Sequence, residues 1–286
     1  MDASVRNARS SQGSWGAAAF AITVAVSVSV ATWFLLYRWA GFGTLTRLVA
    51  HLSFFVVAFV LAARFRISWR CVGLTARDAG WAAGVGVLAY AVVMGGAGAF
   101  NTVLGTGFTV LRSRYDPVAF LDVWVLTALG EELLFAGVVF TLVAAALPRA
   151  KRWWAVPITA LTFAAMHLPG YLAVGHPTGS ILGRLALNAV SWGIFGTIYL
   201  VSGNLWLVVV AHAATDLALT PLITNEPVWG LVFMALLVTG AWWQGSAERS
   251  ASPVAGSTGF GGTGGDAPRG HAPTGTSPSS THARDA

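Results

Sequence analysis

Long stretches of this chain contain no charged side chain, and this feature limits the fold more than any other. The first stretch runs from residue 15 to residue 37, and similar ones follow along most of the 286 residues. Only 10% of the residues are charged and 56% are apolar, whereas soluble domains average ~25% and ~45–50%. An apolar helix of ~20 residues crosses the hydrocarbon core of a bilayer. The sequence therefore excludes a soluble domain and predicts an all-α, polytopic membrane helix bundle.

Charged residues and polar turns divide the apolar sequence into about eight transmembrane helices. The first span is too long for a cleavable signal peptide, whose apolar region has ~7–15 residues. The second span is short and lies between Arg47 and Arg64, so both side chains must extend to the lipid headgroups. Together the spans form one membrane domain at 15–243. We predict them at 15–37, 48–63, 81–103, 120–147, 153–172, 182–201, 205–222 and 228–243.

The two ends of the chain are polar, and an even number of spans places them on the same side of the membrane. Residues 246–286 are rich in Gly, Ser, Thr and Pro, and this composition predicts a disordered tail. Before the tail, nine basic residues lie on the side of the termini and five on the other. The positive-inside rule therefore predicts a cytoplasmic N-terminus at 1–14 and a cytoplasmic C-terminus.

The basic residues also indicate the environment of the protein. Sixteen of the 17 are Arg and most lie between apolar runs, which suits lipid headgroups and gives no reason to expect a nucleic acid partner. The preference for Arg over Lys and the many alanines indicate a GC-rich bacterial genome. We therefore expect an integral protein of a bacterial plasma membrane.

Five ionisable side chains stand out within the apolar sequence of the predicted spans. They are Glu131 and Glu132 in the fourth, His167 in the fifth, and His212 and Asp216 in the seventh. An acid at the centre of a bilayer costs ~2.5–3.5 kcal/mol on insertion scales, so such residues usually face a functional site. Hydrogen bonding between helices is the alternative, but this number of groups on three helices favours function.

The spacing of these residues restricts their directions. His212 and Asp216 are four residues apart and share one helical face. Glu131 and Glu132 are adjacent and point about 100° apart, so we expect only one of them to face the site. A carboxylate and imidazoles can activate water and polarise a carbonyl group. Glu131, His167 and His212 could equally be three ligands of a zinc ion, and the residue types leave both readings open.

Three segments resemble, in order and spacing, the motifs of the CAAX-processing and bacteriocin-processing (CPBP) intramembrane proteases. They read GEELLFAG at 130–137, FAAMH at 163–167 and HAATD at 212–216, within a family-like core at 120–222. The resemblance implies an endopeptidase that cuts a peptide or a membrane-associated protein. It also implies that Glu131 activates water, that His167 assists, and that His212 and Asp216 bind the carbonyl oxygen or the substrate.

The chain departs from the family pattern at two positions. Ala136 replaces an arginine that could pair with Glu132, and Asp216 replaces an asparagine. We predict that Arg184, at the start of the sixth span, is the substitute partner of Glu132.

The loss of the arginine also favours an alternative function, a catalytically silent relative that binds a partner or confers peptide immunity. A proton-coupled transporter is a third hypothesis, and the lack of an internal repeat argues against it. Outside the motifs, we expect His51 at the membrane interface and explain Asp122 by the dipole of its helix.

Overall fold

The computed structural model describes residues 15–41, 44–105, 121–216 and 226–251, and these ranges contain eight helices and no strand. The prediction of an all-α polytopic bundle is therefore confirmed. The eight helices are α1 (Trp15–Ala40), α2 (Thr44–Arg64), α3 (Ala76–Val103), α4 (122–146), α5 (Ala155–Val174), α6 (Thr178–Ser202), α7 (Leu205–Asp216) and α8 (Glu226–Ala251).

Seven of these eight helices are long and apolar enough to cross a membrane. The exception is α7, which has 12 residues in the described part of the chain. The rest of the predicted seventh span, 217–222, lies outside the described residues. At the other end of the chain, α8 continues to Ala251, beyond the predicted end of the last span at residue 243. The tail from residue 252 and the N-terminal residues 1–14 also lie outside the described residues.

Helix α4 occupies the centre of the bundle. In its most apolar stretch of 18 residues, 89% is buried inside the protein. In the corresponding stretches of the other candidate spans, the buried share is at most 44%. Every residue from 131 to 140 is buried. A helix that is apolar all round is covered either by protein or by lipid, and here neighbouring helices cover residues 131–140. Groups on this part of α4 are therefore remote from lipid.

Two stretches of α4 are π-helical, Asp122–Ala128 and Leu133–Phe140, and they flank the α-helical turn Leu129–Glu132. Threonine hydroxyls form hydrogen bonds that match the spacing of a π-helix. Thr127 donates its hydroxyl proton to the carbonyl of Asp122 at 3.1 Å, and Thr141 donates to the carbonyl of Ala136 at 3.4 Å. Each acceptor is five residues earlier, which is the π-helical interval. Such stretches are frequent at functional sites.

A group of hydrogen bonds at the turn between α6 and α7 fixes the position of α7. The side-chain oxygen of Asn204 accepts from the N–H of Leu207 at 3.2 Å and so caps α7. Its amide nitrogen donates to the carbonyl of Asp78 at 3.0 Å and to Oε1 of Gln244 at 3.1 Å. Gln244 in turn donates to the carboxylate of Asp78 at 3.1 Å. The buried amide therefore joins the starts of α3 and α7 to α8.

The same turn meets the loop before α3 so closely that only glycine fits there. Gly73 has φ +78°, and a Cβ on it would lie 2.1 Å from the carbonyl oxygen of Gly203. Gly203 itself ends α6 in the left-handed conformation with φ 66°. Both positions favour glycine because a side chain costs conformational energy at positive φ.

We expect Asn204→Ala to lower the free energy of unfolding by about 1–3 kcal/mol, because it leaves buried partners without their hydrogen bonds. Thermal unfolding in detergent measures the effect. Thr239→Val is the control, since the exposed Thr239 hydroxyl only donates to the carbonyl of Ala235 within α8. Equal effects of the two substitutions would show that Asn204 does not fix the turn.

Candidate active site

His212, in the last turns of α7, contacts all three acids that the sequence analysis selected. Its Nδ1 donates to Oε1 of Glu132 at 2.7 Å. Its Nε2 lies 3.9 Å from Oε2 of Glu131 and 3.4 Å from Oδ2 of Asp216. Glu131, Glu132 and His212 are at most 5% exposed, whereas the side chain of Asp216 is 39% exposed. The group therefore reaches the protein surface at Asp216.

The two adjacent glutamates both reach the same imidazole ring. We expected one of them to face the site and the other to serve a partner or the helix packing, and His212 is the partner that Glu132 has. The nitrogens of an imidazole lie on different edges of the ring, so a ring placed between two diverging carboxylates can contact both. His212 occupies that position, with Glu132 at Nδ1 and Glu131 at Nε2.

His167 is linked to this group through an aromatic ring. Its Nδ1 lies 2.9 Å from the carbonyl oxygen of Phe163, and because a carbonyl can only accept, Nδ1 carries the proton. In the neutral form of this ring, Nε2 is then an acceptor. The ring of Phe163 contacts those of His167 and His212, with centroids 4.7 Å and 5.8 Å away. On the other side, Phe195 stacks on His212 at 5.3 Å.

Each glutamate keeps one oxygen without a hydrogen-bond partner among the described residues. These atoms are Oε2 of Glu131 and Oε2 of Glu132, and both are buried. Buried polar atoms are nearly always hydrogen-bonded in folded proteins, so an unpaired carboxylate oxygen requires an explanation. A site that binds water or a polar substrate provides one.

The partner of Glu132 is His212, and the prediction that Arg184 takes this role is wrong. Arg184 is exposed, its Nε donates to the hydroxyl of Ser180 at 3.4 Å, and its guanidinium lies 5.8 Å from the ring centre of Tyr171. Ala136 is completely buried. The space next to Glu132 is therefore filled by helix packing, and an imidazole provides the hydrogen bond.

The contacts between polar residues at the start of α2 and α4 were not predicted from the sequence. His51 is buried and lies 3.4 Å from Asp122, and Thr127 contacts its ring. The interfacial depth of His51 stays a prediction, but its side chain is buried between helices. One signal was present in the sequence, because Thr127 precedes Glu131 by four residues and so shares its helical face.

The arrangement does not fit the zinc site that the residue types allowed. Within the described ranges, no three His, Cys, Asp or Glu side chains are placed to hold one metal ion. Zinc ligands lie ~2.0–2.3 Å from the ion and surround it. The described side chains therefore do not form a zinc site in this arrangement.

The segment that contains these residues has a recognisable sequence. Residues 113–218 match the family described as type II CAAX prenyl endopeptidase, Rce1-like. This segment is similar to that family. This match confirms the resemblance inferred from the three motifs, and the Rce1-like segment includes Glu131, His167 and His212. It supports, at the level of the family, a CAAX-type intramembrane protease with peptide substrates and a bilayer environment. No curated protein and no solved structure matches the chain.

Proposed function

We propose that this protein is an intramembrane endopeptidase that hydrolyses a peptide bond with water activated by Glu131. One observation carries the proposal. Oε2 of Glu131 is buried, has no hydrogen-bond partner among the described residues, and lies 3.9 Å from Nε2 of His212. A general base needs a lone pair that no hydrogen bond already occupies, beside a group that polarises the substrate, and this pair of atoms provides both.

The chemistry follows from the positions of the side chains. Glu131 takes a proton from water as the oxygen attacks the carbonyl carbon, and it passes this proton to the leaving amine as the C–N bond breaks. With a proton on each nitrogen, His212 donates to Glu132 through Nδ1 and uses Nε2–H to stabilise the oxyanion. Asp216 lies 3.4 Å from Nε2 and orients the ring. His167 assists the proton transfer.

The experiment is hydrolysis of internally quenched peptides by the purified protein in lipid vesicles. Mass spectrometry of the products identifies the bond that is cut. We expect hydrolysis to persist in the presence of a chelator, because the proposed step uses water and a carboxylate. Loss of activity on chelation with recovery on adding zinc would contradict this mechanism. Peptide binding without hydrolysis would support the silent, peptide-binding alternative that the missing arginine at Ala136 favours.

The proposal includes an orientation, with both termini in the cytoplasm of a bacterial cell. Single cysteines at Ser10, Gly43, Arg152 and Ser250 test it, in a chain whose exposed Cys71 is replaced by serine. An impermeant reagent added to intact cells should label only the cysteine at position 43, because it follows the first span. Labelling of all four positions from the same side would contradict the eight-span topology.

A further inference from the structure

A second cluster of polar side chains lies at the start of α2 and α4, and the proposed reaction does not use it. His51 is 5% exposed, and its Nδ1 lies 3.4 Å from Oδ1 of Asp122. The hydroxyl of Thr127 lies 3.3 Å from both ring nitrogens of His51. The other carboxylate oxygen of Asp122 pairs with Arg47 at 3.3 Å, and the side chain of Arg47 is 42% exposed. The cluster therefore connects an exposed cation to a buried imidazole.

This cluster adjoins Glu131 on two helices. On α4, Thr127 precedes Glu131 by four residues, which is about one helical turn. On α2, Phe55 follows His51 by the same interval, and its ring packs on Gly130. A Cβ on Gly130 would lie only 2.8 Å from Cε2 of Phe55. Contacts from His51 and from the next turn of α2 therefore meet residues of α4 in the turn just before Glu131.

The ring of His51 is also held from α1. The rings of Trp33 and His51 pack edge to face, with ring centres 5.8 Å apart. His51, on α2, is therefore held by side chains of both α1 and α4, and α4 carries Glu131.

We propose that His51 is a positioning residue of the active site. Its contacts with Asp122 and Thr127 fix the turn of α4 that carries Glu131, and so they fix the position of the Glu131 carboxylate beside His212. The inference rests on the proposed peptidase function. A residue that only joins α2 to α4 would change the stability of the protein and leave the turnover of the folded protein unchanged.

The first test measures kcat and KM for a cleaved peptide. His51→Phe keeps a ring against Trp33 and removes both nitrogens, and His51→Asn restores a donor near the position of Nδ1. We expect His51→Phe to lower kcat about tenfold or more with KM changed less than about twofold, since small displacements of catalytic groups cost up to ~10²-fold. His51→Asn should recover most of kcat. Ser53→Ala is the control, because the Ser53 hydroxyl donates only to the carbonyl of Ala50 on α2.

A second readout does not need catalysis. The chain has six histidines, so ¹⁵N-labelled imidazole signals can be assigned by single substitutions. We expect His51→Phe to shift the ring nitrogens of His212, and His51→Asn and Ser53→Ala to leave them near their original positions. Thermal unfolding confirms that each variant is folded.

The two readouts separate the two proposals. If the unmodified protein hydrolyses no peptide, the peptidase proposal fails, and the His212 signals alone decide the role of His51. Unchanged signals in His51→Phe would then overturn that role. If the protein is active, unchanged kcat in folded His51→Phe overturns it. A loss of kcat in His51→Phe that His51→Asn does not recover also overturns it, because packing would then explain the effect.

Discussion

Replacement of Glu131 by glutamine is expected to lower peptide hydrolysis by about 10²–10⁴-fold, the usual contribution of a general base. Glutamine has nearly the same size and shape and cannot take a proton from water. The unpaired oxygen of Glu131 has no hydrogen bond to lose among the described residues. The substitution should therefore change the chemical step and leave the fold intact. Initial rates with a quenched peptide measure the first effect, and thermal unfolding measures the second.

Glu131→Asp is the matched variant for this prediction. It keeps the carboxylate and withdraws it by one methylene, so it should retain part of the activity that glutamine loses. Since the carboxylate of Glu131 lies 3.9 Å from Nε2 of His212, its withdrawal also lengthens that contact. If the glutamine variant retains most of the activity, Glu131 is not the base.

The second large effect is expected at His212, in stability as well as activity. His212→Ala removes the hydrogen-bond partner of Glu132, whose side chain is completely buried. Breaking a buried ion pair by removing one partner typically costs 3–5 kcal/mol because the other group stays buried and unpaired. We expect a loss of about this size in the free energy of unfolding, together with loss of hydrolysis. Denaturant unfolding in bicelles measures the first quantity.

Two further variants test the cause of this loss. Asp216→Asn changes the partly exposed acid into the residue usual in the resembled family and should cost much less than His212→Ala. The double variant Glu132→Gln, His212→Ala should be more stable than the sum of the single effects predicts, since the uncharged amide is less costly to bury. Additive effects would show that the 2.7 Å contact does not hold Glu132 in place.

Sequence patterns predicted most of the helices, because the bilayer requires long apolar segments and penalises charges within them. The short second span between two arginines is a complete helix in the structure, from Thr44 to Arg64. The π-helical stretches of α4 had no signal that we used. Threonine hydroxyls and neighbouring helices accompany these stretches. A pattern of hydrophobic residues predicts neither kind of contact.

Within the site, the sequence indicated which ionisable residues lie in apolar spans. It did not indicate which side chains they contact. The direction of each side chain on its own helix follows from helical periodicity, but the distance between two helices depends on packing. For this reason Arg184 was a plausible partner of Glu132 in sequence, and His212 is the observed one. The burial of His51 was missed for the same reason, since its partners Asp122 and Thr127 are on another helix.

The most direct test of the proposed peptidase is peptide cleavage in water enriched in ¹⁸O, with the purified protein and its Glu131→Gln variant at equal concentrations in lipid vesicles. The proposal predicts that the unmodified protein places one ¹⁸O atom in the new carboxyl group of the product. It predicts that the variant forms this product at about one hundredth of that rate or less. Equal rates for the two proteins, or no cleavage of any peptide by the unmodified protein, would contradict the proposed function.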